Sequence, residues 1–587
     1  MSAKGVLNES EIRELVTQSE SESENEDFEL PVEDDDSSGD TVSIQNSVEN
    51  IDDIESGVVD PDNNVAESEP VHELSSSDDE FNFDTANIKW KSKKRRPSPH
   101  PFTQVNVGYN SNLTCENREL DFFKEFFNED LMVLIVTETN NFVDYAGEAM
   151  GRVGRYSSFA KWTDLTVDEL YLFFGVWLLV SVHGLNDIRD CWSTRDILNV
   201  PIFSKLMSRD RFLAILKFLH FSSNNEQPKN DRMYKIRAPF EKLRQSFKDL
   251  YTPFQNLSID ESLLLFKGRL SFKQFIKTKR ARFGIKFYKL CQSDSGYIWD
   301  IMLYLGAKTE IADKYHIGKS GAIVTTLLEP LFKKGYNVFV DNYYTSPTLA
   351  VLLRQKGSNI CGTVKKNRKG MPIFPPLQKG EVFAKFSDGM MALKYTDKRD
   401  VHMLSTIDKF SMAEPPKKKA HITDTVLKPV CILNYNKNMG GVDHTDQLLS
   451  STESVRRTVK WYKKVFFHLL DSSILNAHVL FQLVTNKKVS IYEYKLKIIE
   501  QHQGPKRRPS GGKPSTSETP LRLLGRHFPT FIPPTEKKIS VTRKCLVCAN
   551  TKLGVQKRRE SRYECLDCRV TLCVAPCFQK YHTQLKF

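Results

Sequence analysis

Five segments between residues 256 and 353 leave this chain little choice of fold. "NLSIDESLLLF", "GIKFYKLC" and "YIWDIMLYLG" are apolar strand-like runs, "TTLLEPLFKKG" is helical in pattern, and "NVFV" within "GYNVFVDNYYTSPTLAVLL" is a strand again. A β-β-β-α-β order implies a mixed α/β layer. Two carboxylates sit oddly in it. Asp260 is embedded in the first apolar run, and Asp341 ends the last, where a helical pattern begins. An aspartate there serves as a turn or helix N-cap residue, because its oxygen accepts an orphan backbone N–H. It serves equally as a metal ligand, and both readings stand at this point.

At 587 residues the chain is long enough for several domains. The net charge of +11 hides an asymmetry: residues 1–85 hold 27 Asp and Glu against Lys4 and Arg13, so a net of −25 there leaves +36 for the rest. A body that positive wants an anionic partner. Nucleic acid fits better than a membrane surface, since the basic residues spread over several hundred positions and interleave with aromatics. A merely soluble basic surface is the plain alternative. Residues 1–108, with tracts such as "SESESENED" and "SSSDDE", are too poor in apolar side chains to order themselves and read as a disordered acidic tail. Near its end "KWKSKKRRPSPH" clusters Lys91, Lys93, Lys94, Arg95 and Arg96, as a nuclear-import signal or a phosphate-binding patch does. The nucleus is the expected location.

The opening "MSAKGVLNESEIREL" lacks the apolar centre of a signal peptide. The longest apolar run, "LYLFFGVWLLVSVHGL" behind a Thr166–Glu169 capping box, reads as a short buried helix. No membrane partner is expected. Helical periodicity fills 109–255, with Ser208 as an N-cap, and resumes over 453–525, interrupted by the Pro-, Gly- and Ser-rich "HQGPKRRPSGGKPSTSETP". Residues 256–364 and 429–452 carry the strand and helix signals of the α/β layer. Between them, 365–428 reads as a separate β-rich piece on the alternation in "KGEVFAKFSDGMMALKYT", and a linker at 526–540 precedes a cysteine-rich end at 541–587.

"NMGGVDHTDQLLS" places Asp443 and Asp446 at i, i+3, one face of a helix. If the strands of Asp260 and Asp341 are neighbours and this helix packs across their ends, the carboxylates converge in a hard, oxygen-only pocket of the kind Mg²⁺ prefers. Two such ions activate an attacking oxygen and stabilise a departing one in an in-line phosphoryl displacement, with no Ser or Cys nucleophile. An aspartic-protease dyad is the poorer reading, since neither Asp260 nor Asp341 precedes a Thr-Gly or Ser-Gly turn.

"LSIDESLLLFKGR", "KRARFGIKFYKLCQSDSGYIWDIMLYLG", "VFVDNYYTS", "ICGTVKKNRKGMP" and "YNKNMGGVDHTDQ", in this order and spacing, resemble the transposases of the piggyBac family, from about residue 110 to the C-terminus. The resemblance implies an α/β chain with an RNase H-like catalytic core, a β-rich insertion before its last catalytic helix, and flanking helices joined in one all-α dimerisation and DNA-binding domain. It implies Asp260 and Asp341 as strand-borne and Asp443 as helix-borne ligands of two Mg²⁺ ions, with Mn²⁺ able to substitute, and Asp446 as a further acidic position the site needs. It implies cut-and-paste transposition. Water nicks the element's end, the freed 3′ hydroxyl attacks the opposite strand to give a hairpin, and after opening the 3′ ends join a TTAA target. The partners implied are double-stranded DNA at terminal inverted repeats and TTAA, and a second copy of the chain; no small-molecule substrate is expected. A domesticated DNA-binding or chromatin protein on the same fold is the alternative, and a nuclease without strand transfer a weaker one.

DNA must be held against an acidic site by positive charge. Arg269, Lys277, Lys279, Arg280, Arg282 and Lys286 surround the first strands, and Lys365, Lys366, Arg368 and Lys369 follow "CGTV". All are candidate phosphate contacts, against the alternative of solvated surface. Trp461, in "RRTVKWYKK", stacks on an unpaired base or lies in the core, and Tyr343 and Tyr344 invite the same two readings. Six of the eleven cysteines crowd the C-terminal end: Cys545, Cys548, Cys565 and Cys568 as paired CxxC, then Cys573 and Cys577, with His582 behind. Such pairs signal zinc. Seven ligands exceed one tetrahedral Zn²⁺ and fall one short of two. The resemblance implies a two-zinc, interleaved module that reads the element's ends, its eighth ligand unassigned, with the basic run "KRRESR" suited to phosphate.

Overall fold

A computed structural model describes residues 88–92, 97–150, 157–223, 228, 231–276, 282–306, 309, 311, 313–415, 427–451, 453–456, 458, 460–502, 527–535, 538–550 and 559–584. The chain forms two compact units, one ending at Arg507 and one comprising residues 508–587. The acidic tail up to residue 87, the basic residues Lys93 to Arg96 and the Pro/Gly/Ser-rich linker beyond His502 lie outside the described residues. Among the described residues no helix is long and apolar enough to cross a membrane.

In the first unit the early helices are α1 (Glu119–Phe126), α2 (Glu129–Met150), α3 (Val167–His183), α4 (Arg209–Phe218) and α5 (Tyr234–Asp249). α3 begins where Thr166 Oγ1 accepts from Glu169 N at 3.2 Å, and ends at Gly184, whose φ of 63° closes the last turn in a left-handed conformation. Only half of the expected capping box forms. The Glu169 carboxylate turns instead to the Arg211 fork, with Nε to Oε1 at 2.8 Å, because a paired guanidinium–carboxylate contact outweighs a bond to a single backbone N–H. Ser208 caps α4 through Arg211 N.

A nine-stranded sheet follows. Its main strands are β1 (Asn256–Leu265), β2 (Phe283–Gln292), β3 (Ile298–Leu303), β4 (Asn337–Val340), β5 (Asn359–Thr363), β6 (Val382–Ser387), β7 (Met390–Thr396) and β8 (Asp400–Ser405), with Gln274–Phe275 as a short ninth. The lateral order is β3-β2-β1-β4-β5-β8-β7-β6. β2 is antiparallel to β1 and β3, whereas β4 is parallel to both β1 and β5. A parallel neighbour requires a crossover, which α6 (Lys319–Leu328) supplies before β4; α7 (Pro347–Gln355) does the same before β5. The β-rich segment is not a separate piece. β8 pairs antiparallel with β5, Met403 opposite Thr363, so β6 to β8 extend the same sheet from the free edge β5 would otherwise expose.

β4 is buried on both faces: Val338 and Val340 belong to the main core, and Phe339 to a second core with Cys431, Ile432 and Tyr435. Those three lie on α8 (Val430–Asn438), which leads into α9 (Gly441–Ser451). Next come α10 (Trp461–Thr485) and α11 (Ile491–Gln501). α10 is buried along most of its 25 residues. Its Phe467 stacks on Trp177 at 3.9 Å and its Phe466 meets Phe127, so helices from both ends of the unit's sequence share one layer. Asn476 of α10 docks that layer on β3, bonding both Ile298 N (2.8 Å) and Ile298 O (2.9 Å).

The second unit is built from short pieces. Pro529–Phe531 pairs with Tyr563–Cys565, which pairs with Val570–Thr571; Arg543–Lys544 pairs with Glu560–Ser561; and short helices occupy Leu546–Asn550 and Cys577–Thr583. Residues 529–531, expected in a linker, are therefore part of this unit's own sheet.

Candidate active site

β1 and β4 run parallel with Ile259 beside Val340, and on each strand the next residue is an aspartate. Asp260 and Asp341 are thus lateral neighbours, on the sheet face that alternation assigns to Ser258, Ser262 and Phe339. Asp341 ends β4 for a local reason as well. Its Oδ1 accepts from Tyr343 N at 2.8 Å and Tyr344 N at 3.4 Å, an Asx-type turn, while the N-cap of α7 is Ser346. Asp260 Oδ1 accepts from Glu261 N at 2.8 Å. Two buried phenols sense both carboxylates. Tyr344 and Tyr435 are held above the ordinary tyrosine range first by burial and then by acidic neighbours that include Asp260 and Asp341 in each case.

α9 crosses this face. At one end Gly441 lies so close to β1 that a Cβ there would collide with Ser258 Oγ. Further along, Asp446 Oδ1 accepts from Ser262 Oγ at 2.7 Å and from Lys289 Nζ at 2.9 Å. Asp443 sits in the first turn, exposed, between those two contacts. Burial opposes ionisation of Asp446, but the Lys289 ammonium and the two hydrogen bonds prevail and hold its carboxyl below the usual range. Asp446 is therefore engaged with a lysine, and Asp260, Asp341 and Asp443 do not meet as three ligand atoms within 4.8 Å of one another. Among the described residues, both groups of three or more His, Cys, Asp or Glu whose ligand atoms lie within 4.8 Å of one another fall in the second unit. The acidic face is not a closed cage. An oxygen-only, incompletely enclosed donor set fits Mg²⁺ or Mn²⁺, which keep positions for water and phosphate.

Around it the basic residues separate by role. Arg269, Arg282, Lys365, Lys366 and Lys369 are exposed, and Lys286 is half-buried over the rings of Tyr288 and Tyr343. Arg368 is not simply a surface charge: its Nη2 donates to Asn342 O at 2.6 Å and Tyr343 O at 2.9 Å, bracing the loop that follows Asp341. Lys277, Lys279 and Arg280 lie outside the described residues. Trp461 packs edge-on to Phe272 at 5.2 Å and is half-buried against the main core. Tyr344 is buried, with its hydroxyl on Glu261 Oε2 at 3.0 Å, and Tyr343 beside it is exposed.

The second unit gathers eight candidate ligands in two groups: Cys545, Cys548, Cys573 and Cys577, and His527, Cys565, Cys568 and His582. His527 Nδ1 stands 3.5 Å from both Cys565 Sγ and Cys568 Sγ, and Cys548 Sγ is 3.4 Å from Cys577 Sγ. His582 hydrogen-bonds Phe578 O through Nδ1 at 2.8 Å, which leaves Nε2 as the nitrogen for a metal, the orientation a ligating imidazole needs. Burial and then the neighbouring cysteines push Cys573 up to about 11, whereas at Cys545 burial is outweighed by hydrogen bonds, first from the Cys548 and Cys573 backbone N–H groups, and the thiol is lowered. Each group has the donors of a tetrahedral zinc site.

Comparison with known proteins decides the family. The family described as Transposase IS4 matches residues 118–478, more than half the chain. Human PiggyBac transposable element-derived protein 3 is 25% identical over 521 residues, covering 84% of this chain and 81% of that protein. Human PiggyBac transposable element-derived protein 2 is 25% identical over 410 residues, covering 67% and 66%. A cryo-EM structure of the piggyBac transposase synaptic complex with hairpin DNA superposes with a TM-score of 0.60 at 23% identity, over 78% of this chain and 96% of that one. The chain belongs to the piggyBac family of transposases.

Within this piggyBac-family chain, three residues of the two sites escape a reading of the sequence. His527 is the eighth candidate ligand, eighteen residues before Cys545 and outside any CxxC pattern; its only signal is the count of seven, which demands one more. Ser262 and Lys289 hold Asp446, and neither type announces itself in a strand.

Proposed function

We propose that the chain is a metal-dependent DNA transposase whose RNase H-like core is the β1-to-β5 part of the sheet with α9. The observation that supports this reading is the β1–β4 register, with Asp260 and Asp341 next in line on adjacent strands and α9, the helix that carries Asp443, packed on β1 through Gly441 and Asp446. Asp260, Asp341 and Asp443 would hold two Mg²⁺, or Mn²⁺ in their place. Bound there, the ions supply Lewis-acid stabilisation of the attacking and departing oxygens of a phosphodiester. The chain's own residues do the rest. The Asx turn and Arg368 fix the Asp341 loop, Tyr344 and Tyr435 close the site from behind, and Lys286, Lys365, Lys366 and Lys369 offer phosphate contacts beside it.

Hairpin formation and TTAA joining belong to this proposal on the family resemblance, as do nuclear location, pairing of two ends by two copies of the chain, and end recognition by a two-zinc C-terminal unit. The second reading, a domesticated DNA-binding protein, draws support from human relatives whose names mark them as derived from a transposable element. Purified protein, Mg²⁺ and a plasmid-borne element with its terminal repeats separate the two. Excision by the native chain, abolished by Asp341→Ala with end binding retained, is the expected result. End binding without strand breakage by the native chain favours the domesticated protein.

A further inference from the structure

A lysine stands where the acidic face least accommodates one. Lys289 is directly opposite Asp260 in the antiparallel β1–β2 ladder, so both side chains leave the sheet on the same side. It has no exposed surface. Its Nζ donates to Asp446 Oδ1 at 2.9 Å, the same atom that Ser262 Oγ reaches at 2.7 Å. The nearby imidazole of His468, on α10, packs on Phe287 and is kept neutral by burial and then by Lys289. The cluster thus carries one cation, Lys289, and one anion, Asp446. A buried pair of this kind adds little net stability, because desolvation offsets the attraction. Its placement beside Asp260 and one turn from Asp443 gives it another use.

We propose that Lys289 is a positioning residue of the metal site, cancelling the charge of Asp446 and seating α9 on β1, so that three carboxylates rather than four confront the ions. This rests on the reading of Asp260, Asp341 and Asp443 as ion ligands. Lys289 touches neither ion nor DNA and acts through Asp446.

The test is Mn²⁺ binding to the full-length chain, followed by electron paramagnetic resonance, with melting temperatures recorded alongside. Asp446→Asn leaves the ammonium uncompensated beside the ligands and weakens Mn²⁺ binding by roughly tenfold, the scale of a unit charge acting on a nearby divalent ion across a partly screened site. Lys289→Met leaves an unpaired carboxylate and tightens binding by a similar factor. The double variant returns close to the native affinity. A purely structural role shifts both single variants in the same direction, or neither, and either result overturns the proposal. Should Lys289→Met not fold, Asp446→Asn alone decides it: unchanged affinity refutes the charge role. Asp341→Ala is the control. If it binds Mn²⁺ as the native chain does, the ligand reading itself fails and this inference with it.

Discussion

His468 has a buried Nε2 without a hydrogen-bond partner, and burial followed by the Lys289 charge brings it from 6.5 to about 3. His502 falls to about 4, chiefly through burial. Both are neutral in the folded chain and take a proton once unfolded. Between pH 6.5 and those lower values the unfolded state binds more protons, so stability falls as the pH drops through that window. At pH 5 each histidine costs about 2 kcal/mol relative to neutral pH. All six tryptophans lie at or before residue 461, so their fluorescence follows the first unit alone. Tryptophan-monitored denaturation should show a midpoint that falls from pH 7 to pH 5, with a visibly shallower decline in His468→Gln; equal slopes in the two proteins would refute the assignment. The same neighbourhood shows what a sequence discloses residue by residue. Asp260 and Asp341 are legible because a carboxylate inside an apolar run needs a cause. Lys289, in "FYKLC", is not, since a strand lysine reads as solvent-facing until α9 and α10 close over it.

At the scale of elements, α9 is seated by the absence of a side chain. Gly441 lets the helix approach β1 where Ser258 Oγ fills the space. Gly441→Ala should lower unfolding free energy by about 1–3 kcal/mol, the usual range for overpacking, and should depress strand cleavage more than stability predicts, because Asp443 rides two residues away. Ser258→Ala in that background removes the colliding oxygen, which has no hydrogen-bond partner to lose, and should restore both. Denaturant titration and cleavage assays check the pair, and an unaffected Gly441→Ala would show that the helix has slack. The β-β-β-α-β order was readable from periodicity alone. That β6 to β8 prolong the same sheet was not, because edge pairing between β5 and β8 depends on which strand end lies nearest in space, and alternation is blind to that.

Over the whole molecule, charge and metal set the testable behaviour. Removing residues 1–85 deletes a net −25 and should tighten DNA association at low salt, with the gain fading as screening shortens to about 8 Å at physiological ionic strength. An affinity unchanged at low salt would mean the tail does not compete with DNA. In the second unit, His527→Ala should lower bound zinc from two ions per chain to one by elemental analysis, while Cys115→Ser, in the first unit and a member of neither group, leaves it unaltered. Zinc content still at two would exclude His527 as a ligand. The CxxC pairs made a metal unit legible, and its true start was hidden because one histidine among Pro-rich residues carries no spacing rule.

The two ligand groups alternate along the chain: His527 belongs with Cys565, Cys568 and His582, and the other four cysteines are threaded between them. Loss of His582 would therefore strike a site whose first member is made fifty-five positions earlier. Newly synthesised chains cannot close that site until His582 has been added, by which time all four cysteines of the other group are already in place.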